Sequence, residues 1–294
     1  MCGIIGYVGN KKAAPILLEG LKRLEYRGYD SAGFCTISNN KTLVEKDVGK
    51  IEEVEKKINL DGMEGNIGIS HCRWSTHGGV TKENAHPHTD CKELISVVHN
   101  GIIENFSELK QMLTAKGHVF RSGTDTEVIA HLIEEHYKGD IEGAALKALL
   151  QIEGSYALGV LCANEPDKII AARNESPLII GLGNGENFIA SDVPAILKYT
   201  NRIIYLENRE IAVLKKDNVS VKGLNGEEIK REPHTIEWNS GLAEKAGYEH
   251  FMLKEIHEQP RAITETLNGR IEDSKVNMKE ELNFNDEELK NINR

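Results

Sequence analysis

The distribution of strand and helix signals along the chain most restricts the folds available to it. Residues 155–231 contain short apolar runs with turn signals at close intervals, which is typical of strands joined by tight turns. Residues 105–152 instead show the apolar spacing of amphipathic helices. Because strands and helices are grouped and do not alternate, the pattern favours an α+β protein with antiparallel sheets over a doubly wound parallel sheet.

The individual elements follow from the same patterns. Residues 2–9 form an apolar run broken by glycines, which predicts a strand at the chain terminus, and 13–24 have helical spacing. Short oxygen side chains at Thr124–Glu127 predict a helix start in which they accept from free backbone amides. The other predicted strands are 66–71, 94–99, 156–162, 168–172, 178–181, 188–190 and 210–214, and the other predicted helices are 105–116, 125–137 and 141–152.

The carboxyl-terminal part differs from the rest. The strand pattern stops at 232–247, and 250–267 is helix-like but interrupted by Pro260. The last residues are polar and have no sheet of their own. We therefore predict one domain over 1–240 and a linker, followed by the start of a second domain, over 241–294.

Composition excludes several classes of partner. The chain has 294 residues, 39% hydrophobic and 28% charged residues, and a formal charge of -10, which argues against nucleic acid and anionic membranes as partners. No run approaches a membrane span, and no secretory signal opens the chain. An odd number of scattered cysteines without a CxxC pair fits neither a disulfide scaffold nor a zinc ribbon, and predicts a reducing, cytoplasmic location. These are Cys2, Cys35, Cys72, Cys91 and Cys162.

Cys2 has two interpretations. A small residue after the initiator methionine predicts removal of Met1, which leaves the thiol beside a free α-amine. That amine has an ordinary pKa of about 7.7 to 8, so it can take the thiol proton during attack and return it to a leaving amine. By position alone, however, the favoured interpretation of Cys2 is a small inert residue in a buried first strand, because free cysteines are most often inert core residues.

Several sequence blocks in a fixed order decide between these interpretations. Together they resemble the class II glutamine amidotransferases, which are N-terminal-nucleophile hydrolases, and within them the glutaminase domains of glutamine–fructose-6-phosphate aminotransferases. The resemblance runs from residue 1 to about 270. The blocks are MCGIIG at 1–6, LEYRGYDSAG at 24–33, HCRWSTHG at 71–78, NAHPH at 84–88, VHNGIIEN at 98–105 and TDTE at 124–127.

The resemblance implies a fold and a set of catalytic residues. The fold is a four-layer αββα sandwich with two antiparallel sheets. Cys2 is the implied nucleophile, and Asn100 with Gly101 is the implied oxyanion hole, where a side-chain amide and a bare backbone N–H stabilise developing negative charge. From the residues alone, Asn100–Gly101 could also be a simple turn signal.

The same resemblance implies the residues that bind glutamine. Arg73 binds the substrate carboxylate, for which its planar fork is suited, although an Arg can equally form a surface ion pair. Asp125 binds the substrate ammonium, although its position also suits a helix N-cap. Trp74, Thr76 and His77 lie on a glycine-bounded loop that is implied to be a lid, in which Trp74 could instead be a packing anchor. Arg27 is expected to support the first strand and the nucleophile.

No cofactor and no metal are expected. Four histidines at 71, 77, 86 and 88, with Asp90 and Cys91, could in principle ligate a metal ion. No pair of these histidines has the i, i+4 spacing that places two ligands on one helix face, and Pro87 excludes a helix between His86 and His88. Packing and hydrogen bonding are the default roles of these histidines.

The implied reaction is hydrolysis of L-glutamine to glutamate and ammonia through a glutamyl thioester on Cys2. In the full-length enzymes the ammonia converts fructose 6-phosphate to glucosamine 6-phosphate on an isomerase domain, whose truncated start we assign to the end of 241–294, and the enzyme is expected to be a homodimer. Two alternatives remain: the glutaminase half of an amidophosphoribosyltransferase, and a module that senses glutamine without hydrolysing it.

Overall fold

The structure is a computed structural model that describes residues 2–237, 248, 251–267, 270–272 and 275–276. The helices are α1 (Ala13–Lys22), α2 (Ile51–Lys57), α3 (Phe106–Ala115), α4 (Glu127–His136), α5 (Ile141–Leu149) and α6 (Phe251–Leu267). The strands are β1 (Gly3–Val8), β2 (Ser31–Ser38), β3 (Lys41–Val48), β4 (Ile67–Arg73), β5 (His88–Thr89), β6 (Ile95–Ile103), β7 (Gly154–Cys162), β8 (Ile169–Asn174), β9 (Ile179–Leu182), β10 (Asn187–Ala190), β11 (Arg202–Tyr205), β12 (Glu210–Lys215), β13 (Asn218–Gly223), β14 (Glu228–Ile229), β15 (His234–Thr235), β16 (Ile271–Glu272) and β17 (Lys275–Val276).

Two antiparallel sheets make up most of the fold. The first has eight strands in the order β15-β11-β9-β10-β1-β4-β2-β3, and the second has seven in the order β14-β13-β12-β8-β7-β6-β5. The opening strand β1 lies inside the first sheet, between β10 and β4. A chain terminus at the centre of a sheet is held by ladder hydrogen bonds on both sides, so its first residues have a fixed position.

Alternation along β1 shows how the layers stack. Ile4 and Val8 pack with apolar residues of both sheets, whereas Ile5 and Tyr7 pack with α1 and its neighbours. Successive side chains of a strand point to opposite faces, so one face of β1 meets the second sheet and the other meets helices. On the second sheet, Val98 faces the first sheet and Val97 packs with α3, α4 and α5. The order of layers is helices, sheet, sheet, helices, which confirms the predicted αββα sandwich.

The hairpin formed by β2 and β3 was not predicted from the sequence. Strands β2 and β3 pair over their whole lengths, from Ser31 opposite Val48 to Ser38 opposite Lys41. Their two connecting residues, Asn39 and Asn40, have φ values of 51° and 56°. Positive φ at both central residues defines the turn that matches the twist of a two-stranded hairpin, and asparagine tolerates that conformation.

The carboxyl-terminal segment forms a separate unit, because the contacts divide the chain into Met1–Ser240 and Gly241–Arg294. In the second unit α6 continues through Pro260, so the predicted interruption is wrong. A proline removes one hydrogen-bond donor, and exposed Ile256, one turn earlier, leaves its carbonyl open to water. The predicted linker lies mostly outside the described residues, and its assignment stays a prediction. No described helix is long and apolar enough to cross a membrane.

Candidate active site

A cavity of about 380 Å³ opens where the two sheets end beside Cys2. All the residues that the sequence singled out line it: Cys2, Arg27, Arg73, Trp74, Thr76, His77, Asn100, Gly101 and Asp125. Its wall also contains residues that were not predicted, among them His86, His99, Ile102, Thr124, Thr126 and Ser155. The fold therefore brings together blocks that are up to 123 positions apart in the sequence.

Strand alternation explains this convergence. On β4, Ile67 and Ile69 face the second sheet, so Arg73, at the same parity, lies on the same face of the strand. On β6, Val98 faces the first sheet, and Asn100 follows it two residues later on that face. Cys2 directly precedes β1 at the parity of Ile4. Strand ends from both sheets thus direct these side chains into the space between the sheets.

The backbone and thiol of Cys2 are both held in place. Its carbonyl oxygen accepts from Arg27 Nε at 3.0 Å and from Asn100 Nδ2 at 3.1 Å. Its Sγ accepts from the Trp74 amide at 3.1 Å and lies 3.4 Å from the Trp74 carbonyl oxygen. Burial raises the pKa of the thiol, and the Trp74 amide and the positive charge of Arg73 oppose this rise only in part. The thiol is therefore protonated at neutral pH in this setting, and a base is needed to make it a nucleophile.

Asn100 is fixed by three partners. His71 Nε2 lies 3.0 Å from Asn100 Oδ1, which orients the amide. Both protons of Nδ2 are engaged, by the Cys2 carbonyl and by Ser191 Oγ at 2.9 Å. Ser191 Oγ also accepts from the Ile4 amide at 2.8 Å. Sequence reasoning missed Ser191, because its role depends on β10 lying beside β1, and no local pattern indicates that pairing.

Gly101 has a backbone that only glycine adopts without strain. Its φ is +133°, and a Cβ placed there would lie 2.0 Å from the carbonyl oxygen of Ser155. Both observations exclude a larger side chain. The Asn–Gly pair is therefore not a hairpin turn here: both residues lie within β6, opposite β7.

Arg73 holds the loop that was predicted to be a lid. Its guanidinium donates to Gly79 O at 3.1 Å and Gly78 O at 3.3 Å, and also to the carbonyl oxygen of His77. The residue is buried, so the alternative of a surface ion pair is wrong. In this arrangement the planar fork contacts backbone carbonyls of the loop.

The rest of the loop is anchored at both ends. Ser75 N donates to Asp30 Oδ2 at 2.8 Å, and Asn84 Nδ2 donates to Gly79 O at 2.9 Å. The ring of Trp74 meets that of Tyr29 edge-on at 5.4 Å, yet Trp74 is 44% exposed. A large aromatic residue that is half exposed above the thiol contributes little to the core and mostly covers the cavity.

Asp125 does not cap a helix. Its Oδ2 accepts from the Ile103 amide on β6 at 2.8 Å, and α4 begins at Glu127 after Thr126 without a side-chain cap. The predicted capping is therefore wrong for this residue. The reason lies in the tertiary structure, because the carboxylate contacts the backbone N–H of Ile103 at the end of β6. Asp125 Oδ1 makes no hydrogen bond within the described part of the chain.

Four buried histidines line the cavity or lie directly behind its wall. The rings of His71 and His86 stack at 4.1 Å, and His86 meets His88 at 4.7 Å. His99 Nδ1 lies 2.9 Å from Thr126 Oγ1. Burial lowers the pKa of His71 to about 3 and lowers the pKa values of His86, His88 and His99. These rings are neutral at pH 7 and act through hydrogen bonds and packing.

Comparison with known proteins agrees with this geometry. Residues 71–198 match the family model for the glutamine amidotransferase domain. The chain is 53% identical over 292 residues to a glutamine–fructose-6-phosphate aminotransferase (isomerizing) of Caldanaerobacter subterraneus, covering 99% of this chain and 48% of the relative. It is 56% identical over 276 residues to one of Thermococcus kodakarensis, covering 92% of this chain and 46% of the relative. The chain thus spans about half the length of the curated relatives it matches.

Solved structures show the same fold. The glutamine phosphoribosylpyrophosphate amidotransferase of B. subtilis superposes with a TM-score of 0.67 and 26% identity, covering 76% of this chain and 49% of that one. A glutamine aminotransferase class-II domain protein from Silicibacter pomeroyi has a TM-score of 0.53 and 14% identity, covering 76% of this chain and 99% of its own, and shares the fold alone. Residues 71–198 therefore belong to a glutamine amidotransferase domain, and the chain aligns over nearly its whole length with about half the length of the glutamine–fructose-6-phosphate aminotransferases.

Proposed function

We propose that this chain hydrolyses L-glutamine to glutamate and ammonia with Cys2 as nucleophile. The observation that carries the proposal is the arrangement around Cys2. Trp74 N donates to its thiol and the Asn100 amide donates to its carbonyl oxygen, inside a cavity that also contains Arg73 and Asp125. A glutamine molecule carries a carboxylate, an ammonium and an amide, and this cavity offers a partner of suitable charge or polarity to each.

The first step requires a base and an oxyanion site. After Met1 is removed, the α-amine of Cys2 accepts the thiol proton while Sγ attacks the amide carbon, forming a C–S bond. The oxyanion is stabilised by Asn100 Nδ2 and the Gly101 amide. Because both Nδ2 protons are engaged in the structure, Asn100 must exchange one partner, the Cys2 carbonyl or the Ser191 hydroxyl, for the oxyanion.

The second step releases the products. The protonated amine gives its proton to the leaving nitrogen, and the C–N bond breaks to release ammonia. A glutamyl thioester then remains on Cys2. The amine next takes a proton from water while hydroxide adds to the thioester carbonyl. As the C–S bond breaks and glutamate is released, the amine gives this proton to Sγ. Each proton that the amine takes is returned, so the enzyme ends in its starting state.

Substrate binding involves the loop above Cys2. Arg73 reaches a substrate carboxylate only by giving up at least part of its contacts with the carbonyl oxygens of residues 77–79. Carboxylate binding and movement of the Trp74–His77 segment are therefore linked, with Thr76 and His77 as contact residues of the moved loop. Asp125 binds the ammonium through Oδ1 while Oδ2 keeps its bond to Ile103.

We extend this proposal to a longer protein that contains the chain. In that protein, the released ammonia converts fructose 6-phosphate to glucosamine 6-phosphate on a second domain, and the protein is a cytoplasmic homodimer. The names of the relatives support the sugar reaction, and free thiols at all cysteines support a reducing compartment. Identity of 53% to an aminotransferase against 26% to a phosphoribosylpyrophosphate amidotransferase disfavours the phosphoribosyl alternative.

The test separates hydrolysis from sensing. The chain is incubated with glutamine, and glutamate is measured together with the intact mass of the protein. We expect glutamate release from chains that lack Met1 and none from chains that retain it, since a blocked amine is not a base. A glutamine analogue with an electrophilic group at the amide position should add one label, mapped to Cys2. Binding of glutamine without glutamate release in chains that lack Met1 would establish the sensing module instead.

A further inference from the structure

We propose that Cys91, His118, His131 and Glu134 form a tetrahedral zinc site on the helical side of the second sheet. The four donor atoms come from three segments of the chain. Cys91 follows β5, His118 lies in the loop after α3, and His131 and Glu134 lie one turn apart on α4. All four donor atoms lie within 4.8 Å of one another, and within the described residues no other set of His, Cys, Asp and Glu side chains does so.

The separations between donor atoms fit a single central ion. Bonds of about 2.3 Å to sulfur and 2.0 to 2.1 Å to nitrogen at tetrahedral angles place S and N about 3.6 Å apart, and N and O about 3.4 Å apart. Cys91 Sγ lies 3.7 Å from His118 Nδ1 and 3.5 Å from His131 Nδ1. Glu134 Oε2 lies 3.0 Å and 3.4 Å from the same two nitrogens.

The groups around these donors orient them toward a common centre. His131 Nε2 lies 3.5 Å from Glu127 Oε1, and His118 Nε2 lies 3.3 Å from Glu135 Oε2. At His118 the carboxylate on the far nitrogen places the proton there and leaves the near nitrogen free to bind metal, whereas His131 Nε2 faces Glu127 without a hydrogen bond within the described residues. The Val119 amide donates to Cys91 Sγ at 3.4 Å, which favours the thiolate that zinc requires.

The chemistry of the set selects zinc over harder ions. One thiolate, two imidazoles and one carboxylate suit Zn²⁺, whereas Mg²⁺ and Ca²⁺ prefer oxygen donors throughout. The two anionic donors balance the charge of the ion. The histidine side chains are 9% and 1% exposed and that of Glu134 is 11% exposed, so an unpaired charge there is costly and a bound cation removes that cost.

The site is structural because the protein supplies all four ligands, which leaves no open position for a substrate or water. Zinc ties the turn after β5, the loop after α3, and α4 together. Glu127, beside His131, also accepts from the Arg121 and Ser122 amides at 2.7 Å each. The loop that contains Arg121 and Ser122 leads directly to Asp125 in the cavity. Metal binding therefore stabilises the segment that positions one wall of the active site.

This inference differs from the expectation drawn from the sequence. The sequence grouped Cys91 with His71, His77, His86 and His88, whereas His118 and His131 were not considered. Only the His131–Glu134 pair, at i and i+3 on a helix, is a local signal. Cys91 and His118 are 27 residues apart on different segments, so no short motif records their meeting.

Metal binding is measured on the whole chain carrying Cys2→Ala, so that the cavity thiol contributes no binding. This background makes the result independent of glutamine hydrolysis. Metal-free protein is titrated with Zn²⁺ and with Co²⁺, which reports tetrahedral thiolate coordination by its visible and near-ultraviolet absorption. We expect one ion per chain, a sulfur-to-cobalt band, and a rise in the unfolding temperature that grows with zinc concentration.

Ligand variants assign the site. Cys91→Ser and His118→Asn should each weaken zinc binding by more than about 100-fold and remove the sulfur band or change its position. Cys162→Ser and His136→Gln, which remove a thiol and an imidazole outside the cluster, should bind zinc as the parent does. Should the ligand variants fail to fold, the parent titration still decides. Less than one ion per chain, no sulfur band, or affinity unchanged by Cys91→Ser would overturn the proposal and leave a hydrogen-bonded Cys–His–Glu network.

Discussion

Two groups of histidines in this protein have opposite surroundings. His71, His86, His88 and His99, behind the cavity, are buried among one another, hydroxyl groups, an amide and backbone carbonyls. His118 and His131, on the helical side of the second sheet, face a thiol and three carboxylates. Both groups contain imidazoles that hydrogen-bond to neighbouring side chains. They differ in the charge of their neighbours.

That difference decides what each group can do. Without anionic neighbours in contact, burial lowers the pKa of a histidine and keeps it neutral, so the first group supplies fixed hydrogen bonds such as the one from His71 to Asn100. With a thiol and a carboxylate at the near nitrogens, the second group has the donors for a cation. The first group therefore serves a catalytic thiol, and the second fixes the position of a loop.

The largest expected effect concerns the thiol of the first region, which lies in the cavity. Cys2→Ala should lower the rate of glutamine hydrolysis by at least about 10³-fold, because the step that forms the thioester is lost. Cys162→Ala, a change of the same size at a buried thiol in neither region, should leave the rate unchanged. Release of glutamate is measured at saturating glutamine. An unchanged rate in Cys2→Ala would remove the catalytic role of the cavity thiol.

The next effect concerns the amide that the first histidine group orients. Asn100→Ala should lower kcat by about 10² to 10³-fold, since one oxyanion donor is lost. Ser191→Ala keeps Asn100 and removes one of its partners, so we expect a smaller loss, of about tenfold, in kcat with little change in KM. Steady-state kinetics of both variants test this order. A larger loss for Ser191→Ala than for Asn100→Ala would contradict the proposed oxyanion site.

A third effect concerns the outer carboxylates of the second group. Glu135→Gln should weaken zinc binding by about tenfold, because the His118 Nε2 proton loses its anionic acceptor. Glu142→Gln on α5, which breaks an ion pair with Lys222 of β13, is the matched control and should bind zinc normally. Competition with a chelating dye gives both affinities. Equal weakening in the two variants would indicate a general loss of negative charge.

The smallest effect is an acid destabilisation by the first group. His71 has a folded pKa of about 3 against about 6.5 unfolded, so the unfolded chain binds more protons below neutral pH. Its stabilisation is complete above the unfolded pKa and is lost as the pH falls toward the folded pKa. Between pH 7 and 5.5, His71 alone should lower the free energy of unfolding by about 1 kcal/mol. Urea unfolding at both pH values measures this, and equal stability would contradict neutral burial.

Much of the fold could be predicted from the sequence, because its signals are local. The strand at 2–9 and the helix at 13–24 correspond to β1 and α1, since glycine-broken apolar runs and helical spacing act within a few residues. The β2–β3 hairpin was missed although its Asn39–Asn40 turn is also local, because no strand was predicted over residues 34–48 and only 31–33 fell within a family block. Pro260 was given too much weight as a helix breaker.

In the active site, too, some features could be predicted from the sequence and others could not. The residue types needed for glutamine hydrolysis could be identified from ordered blocks in the sequence, and Cys2, Arg73, Asn100 and Asp125 all line one cavity. Their partners could not be identified. That Asp125 binds the Ile103 amide, that Arg73 holds loop carbonyls, and that Ser191 contacts Asn100 all depend on which strand ends meet.

By itself, the sequence determined the element types, the sandwich class through its family blocks, and the candidate nucleophile, because propensity, periodicity and motif chemistry are properties of neighbouring residues. Tertiary structure alone decided the partners of each polar group and the state of each histidine. Desolvation and hydrogen bonding depend on atoms from distant segments, so two similar imidazoles, His71 beside Asn100 and His131 beside Cys91, acquire different roles.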